Sequence, residues 1–170
     1  MTDRLVRLAG RGLRADDAVV TWTIADGQRG RRWRESVVRD GHLIHSLLYE
    51  TGTDRRFIHL ELAAPLGLVT LHPESDGTLH GNTIRNNGVE HIAGLAFKPD
   101  NALLVAGSPI AAAAVAWATD RDAHAGPTST VVLDPVDLLL RVAAEDPSLP
   151  AADPAGIPLL REGSIWPLER

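Results

Sequence analysis

From Asp17 to Glu74 the chain alternates apolar and polar residues with a period of two, and short Gly/Asp turns interrupt the alternation. No other feature limits the fold as much, because successive side chains of a β-strand point to opposite faces. In "DAVVTWTIADG", Ala18, Val20, Trp22 and Ile24 share one face, and Val19, Thr21 and Thr23 the other. "RWRESVVRDG" puts Trp33, Glu35 and Val37 together and stops at Asp40-Gly41, a hairpin signal. "HLIHSLLYETGTD" sets Leu43, His45, Leu47 and Tyr49 against Ile44, Ser46 and Leu48. "RRFIHLELAAP" sets Ile58, Leu60 and Leu62 against Phe57, His59 and Glu61, and "LGLVTLHPE" reads as a fifth strand. These strands follow one another too closely for helical crossovers, so they predict an antiparallel meander that curls as its twist accumulates.

The second half continues in strands and then changes character. "RNNGVE" is an Asn-Gly hairpin signal, and "EHIAGLAFKPDNALLVAG" reads as two strands around Lys98-Pro99-Asp100-Asn101. In "GSPIAAAAVAWATD", Ser108 suits an N-cap, Pro109 the first helical position and the alanines a helix, while Val115 and Trp117 would equally continue a strand. "LDPVDLLLRVAAEDP" predicts a helix capped by Asp134, with Val136, Leu139, Leu140 and Ala143 on one face and Pro147 at its end. The expected fold class is mainly β: a single curled antiparallel sheet (a β-roll or partly open barrel) with one or two short helices in the C-terminal half. Residues 1–170 are expected to form one domain. Residues 147–170 would be a Pro-rich extended segment packed on it, since Ile157, Leu159, Leu160, Ile165 and Trp166 are too apolar for a free tail.

Charge and composition remove several function classes. The net charge of −5 argues against a nucleic-acid partner, which calls for a clustered basic excess. Without cysteine there is no disulfide, thiolate ligand or Cys nucleophile. The run Ile110 to Ala118 is too short to span a bilayer, which takes about 20 apolar residues. Nor does the N-terminal stretch have the apolar core of a signal peptide, so the expected location is cytoplasmic.

The chemical motifs are sparse. His59, His72, His80 and His91 lie close together in strand-rich chain, and imidazole suits zinc, iron or copper. No His-x-His pair places two ligands on one strand face, and no HExxH occurs. No metal or other cofactor is therefore expected; if a metal were bound, His59, His72 and His91 would be its ligands. Ser108 in "AGSPI" does not sit in a G-x-S-x-G elbow. Glu50 and Glu61 could form a carboxylate pair, yet residues of this kind more often face solvent on a strand. The dense Gly/Asn/His run at residues 77–101 reads chiefly as turn chemistry. Trp33, flanked by Arg31, Arg32 and Arg34, is expected at a polar boundary.

The stretch from Leu79 to Leu103 resembles a bacterial glycolipid-binding family of spiral β-rolls. The resemblance rests on the "ESDGTLHGN" hairpin, on His91-Ile92-Ala93-Gly94-Leu95-Ala96-Phe97, on Pro99-Asp100-Asn101-Ala102-Leu103, and on "VAWATD" from Val115 to Asp120. The family's Cys-x-Asp-Val-Asp element is missing. The resemblance implies a curled β-roll with an apolar concavity, no metal, and a non-catalytic role in binding lipid-like molecules.

Three functional readings follow. The first is non-catalytic binding of a small amphipathic ligand, glycolipid included, within the curled sheet. Trp33 and Trp117 would stack on it, His45, Tyr49 and His59 would bond its hydroxyls, and Arg56 would pair with an acidic group. The second is an enzyme (a hydrolase, isomerase or metal-dependent oxygenase) using His59, Glu61, His72 and His91. The third is an interaction module that forms a homodimer through an exposed strand edge.

Overall fold

The structure, a computed structural model, describes residues 7–14, 16–119 and 127–143, together with the backbone of 166–167. Eight strands follow the chain as an antiparallel meander: β1 (Arg7–Leu13), β2 (Val19–Gly27), β3 (Gly30–Arg39), β4 (His42–Gly52), β5 (Phe57–Ala64), β6 (Gly67–Pro73), β7 (Thr78–Arg85) and β8 (Gly88–Ala96). Each pairs with its neighbour in sequence, and the sheet does not close, leaving β8 as an edge. The alternation has its expected consequence on β2, where Ala18, Val20, Trp22 and Ile24 are buried. The expected Asp40-Gly41 turn is present, and the β7–β8 turn falls at Asn86-Asn87, one residue before the Asn-Gly pair, with Gly88 opening β8.

Two β-bulges shift the alternation from its simple reading. Val37 pairs with His45 and Val38 with Leu43, so Ile44 is an extra residue. Ile44 packs on the core, whereas Leu43, expected inside, is 43 % exposed. On β5, Glu50 pairs with His59 and Thr51 with Phe57, which makes Ile58 the extra residue. Phe57 is therefore buried and Ile58 is 39 % exposed, the reverse of strict period-two counting.

A second, smaller unit covers the inner face of this sheet. Strand β9 (Ala102–Val105) leads into helix α1 (Pro109–Thr119), and β10 (Thr130–Leu133) returns parallel to β9. Strand β11 (Leu140–Val142) then pairs antiparallel with β10. The alanine-rich segment is thus the helix of a β–α–β crossover, and Ser108 caps it by accepting the Ala111 N–H at 2.9 Å. Ile110, Ala111, Ala113 and Ala114 are fully buried, in one cluster with Trp22, Trp33 and Leu60 of the large sheet. The Tyr49 hydroxyl donates to the Leu103 carbonyl at 3.1 Å, and Arg85 Nη2 to the Asp137 carbonyl at 2.8 Å, joining the two units.

The helix expected from Asp134 is instead a tight turn followed by β11. Asp134 Oδ1 accepts the Val136 N–H and Asp137 Oδ1 accepts the Leu139 N–H, so both side chains hold turns rather than caps. Leu138 has φ 59° and is buried, while Val136, assigned to the apolar helix face, is 81 % exposed. Most of the expected extended segment 147–170 lies outside the described residues. The backbone of β12 (Trp166–Pro167) pairs antiparallel with β1. No described helix is long and apolar enough to cross a membrane.

Close strand approach makes one glycine far less replaceable than another. A Cβ on Gly81 would lie 1.7 Å from the Thr70 carbonyl oxygen, whereas one on Gly41, at φ 76°, would meet nothing within 4 Å. Gly41→Ala should therefore cost only the left-handed strain, about 1–2 kcal/mol. Gly81→Ala must push β6 and β7 apart and should cost at least about 3 kcal/mol. Urea denaturation of the two variants checks the order.

Candidate functional site

Helix α1 and the small sheet occupy the space in front of the inner face, and the six residues expected to line a hollow there fall in different places. Trp33 is fully buried, its indole N–H donating to Thr51 Oγ1 at 3.2 Å. It is not at a polar boundary: Arg32 and Arg34 point outward by alternation, and Arg31 folds inward beside it. The Arg31 guanidinium carbon lies 5.4 Å from the Trp33 ring and 4.3 Å from the Trp117 ring, while Asp26 holds the group at 2.6 and 3.1 Å. Trp33 and Trp117 are 5.6 Å apart. Tyr49 is buried with them, and burial pushes its hydroxyl far above the ordinary phenol range, so it acts as a neutral donor. His59 lies apart on the outer face, with Nε2 3.1 Å from Glu61 Oε1, and Arg56 is exposed on the β4–β5 turn.

His45 belongs to a buried polar pair. Its Nε2 lies 2.6 Å from Glu35 Oε1, and both side chains are fully enclosed. The other carboxylate oxygen, Oε2, accepts the Ile110 N–H at 3.2 Å in the first turn of α1. Among the described residues His45 Nδ1 has no hydrogen-bond partner. Glu35 therefore bridges an imidazole to a helix N-terminus, where an anion is favourable. Both side chains are shut off from solvent, and their bonds tie the helix to the sheet. The sequence signal was a glutamate between Trp33 and Val37 on an apolar strand face.

An open cleft of about 630 Å³ lies at the rim, where the two units meet. Tyr49, Phe57, Ala102 and Val115 supply its apolar wall, and Asp54, Arg56, Asp100, Asn101 and Thr128 its polar edge. Four chain segments build it: the β4–β5 turn, the β8–β9 loop, the last turns of α1 and the approach to β10. Asp100 accepts the Thr128 hydroxyl, chiefly for that reason its carboxyl stays below the usual carboxylate range, and Arg56 adds to the effect. Arg55, at φ 68°, also lines the cleft, donates to the Trp117 carbonyl at 3.3 Å and lies 4.7 Å from that ring. The cleft brings together Tyr49 and Arg56 of the expected residues, with Trp117 behind Arg55. Phe57, Asp100 and Thr128 were not expected in a site; among them only Asp100 lies in the stretch that carries the family resemblance.

The histidines considered as metal ligands lie on the outer face. His72 pairs with His80 across β6–β7, while His91 on β8 pairs with Asn82. Among the described residues no group of three or more His, Asp or Glu side chains is placed to hold a metal ion. Compared with family models, curated proteins and solved structures, the chain matches none.

Removing the bridging carboxylate tests its structural role. Glu35→Ala strands two buried donors, the His45 ring N–H and the Ile110 N–H, and should cost about 2–5 kcal/mol in chemical denaturation. The double variant Glu35→Leu, His45→Leu replaces the pair by apolar groups and should lie closer to the parent than Glu35→Ala does.

Proposed function

We propose that the protein binds a small amphipathic molecule without catalysis, with a sugar-like headgroup, as in a glycolipid, seated in the rim cleft. The observation that carries the reading is the composition of that cleft: an aromatic and aliphatic wall facing a polar edge of mixed charge. Asp54 and Asp100 offset Arg55 and Arg56, so the edge carries no net charge. That balance favours a neutral headgroup rich in hydroxyls, which takes hydrogen bonds from Arg56 and Asn101 and gives them to Asp100. The Phe57 edge and Val115 would contact its apolar faces or the start of an alkyl chain. The cleft volume suits a ligand of one or two rings, within the roughly 300–1,000 Å³ range of small-molecule sites. The family resemblance between Leu79 and Leu103 points to the same ligand class and includes Asp100 and Asn101 of the polar edge. The interior behind Trp33 and His45 takes no part, because α1 fills it.

Trp117 is coupled to the cleft through Arg55 and serves as the reporter. Titration with an alkyl glycoside below its micelle concentration should give a saturable change in tryptophan fluorescence. Arg56→Ala and Asp100→Ala should each weaken binding about tenfold, or about 1.4 kcal/mol. A parent protein whose fluorescence ignores every alkyl glycoside tried would remove the reading.

A further inference from the structure

The outer face carries a second arrangement that the cleft does not use. His72, His80 and His91 lie side by side on β6, β7 and β8, with ring centroids 6.4 Å apart for the first pair and 6.0 Å for the second. Each imidazole has one ring nitrogen beside a hydrogen-bond acceptor. His72 Nε2 lies 3.1 Å from Glu74 Oε1, and His91 Nδ1 lies 3.1 Å from Asn82 Oδ1. His80 Nε2 lies 2.9 Å from Thr78 Oγ1, whose own proton goes to Asp76 Oδ1 at 2.5 Å. Because that hydroxyl is already donating, it accepts from His80, which assigns the ring proton to Nε2 and leaves Nδ1 bare. The same logic leaves Nε2 of His91 bare. A metal-binding histidine commonly donates its second nitrogen to an oxygen in this way. Asp76 accepts the Thr78 hydroxyl, and that bond holds its carboxyl below the usual carboxylate range.

We propose that His80 Nδ1 and His91 Nε2 form a two-imidazole chelate for a divalent transition-metal ion on the outer face of β7–β8, with water in the remaining positions. Two imidazoles bound to one ion at about 2.0–2.1 Å place their centroids roughly 5–6 Å apart, a range that the 6.0 Å between His80 and His91 meets. Two nitrogens with open oxygen positions suit Cu(II) first, and the Irving–Williams order ranks Ni(II) and Zn(II) below it. His59, on β5, is not one of the rings in contact on this face, which are those of His72, His80 and His91.

Isothermal titration of the full chain with Cu(II), and separately with Zn(II), tests the site. The parent should bind one Cu(II) per chain saturably, and Zn(II) more weakly. His80→Ala and His91→Ala should each weaken Cu(II) at least tenfold, whereas His59→Ala and His42→Ala should bind like the parent. Thr78→Val keeps both ligands but removes the acceptor that orients His80, and should cost about tenfold. Thermal melts without metal should place all five variants near the parent, because none of these side chains belongs to the buried core. Binding left unchanged by His80→Ala would mean an adventitious ion only and would overturn the assignment. Loss on His72→Ala with none on His91→Ala would overturn the chelate as well.

Discussion

An antiparallel sheet that bows around Trp22, Trp33, Leu60 and Leu71 needs something to cover its inner face. Left open, those side chains would lie in water, and burial returns roughly 25 cal/mol for each Å² of apolar surface removed. Helix α1 provides the cover, and the rest of the structure follows from how it is held. Its buried face is largely alanine, which lets the backbone approach the sheet closely but gives little apolar area of its own. The helix also carries no acidic residue in its first turn and no basic residue in its last. The large sheet supplies both charges instead: Glu35 accepts the Ile110 N–H at the start, and Arg55 donates to the Trp117 carbonyl near the end. The macrodipole is thus matched from across the interface, so the helix and the sheet stabilise each other through the same contacts.

This arrangement accounts for what the sequence discloses and what it hides. Strand identity was legible because period-two alternation is local and is repeated at Val20, Trp22 and Ile24. The bulges at Ile44 and Ile58 were not. Each depends on register against a neighbouring strand, and an extra residue leaves no mark in a hydrophobic pattern. Trp33 illustrates the related limit of reading flanking charge. Three arginines around it suggested a wet boundary, yet two face outward and the third is drawn in by Asp26 and two indole rings. At Asp134 the local signals were real but ambiguous, because an aspartate before proline serves an N-cap and a turn equally well, and the antiparallel pairing of β11 back onto β10 goes with the turn.

The rim cleft was harder to see for a different reason. Residues from positions 49 to 128 meet there only because β9 and β10 pair across the crossover. No spacing between Phe57, Asp100 and Thr128 signals that meeting. Tyr49 and Arg56 entered the expected site on residue type alone, and residue type could not separate them from Trp33 and His45, which are the same kinds of group sealed in the core.

Filling the interior also decides where chemistry can take place. A barrel-like sheet with an empty centre would offer its inner aromatics to a ligand, whereas here they are spent on holding α1 and the small sheet. The surfaces that stay open are those that the plug does not cover. One is the seam where plug and sheet meet, which is concave because two curved units cannot join flush. The other is the outer face, where alternation brings every second side chain of β6, β7 and β8 into one plane. Glu35 and His45 link these outcomes, for the contact that fixes α1 closes the centre and, by placing Val115 and Trp117, shapes the seam.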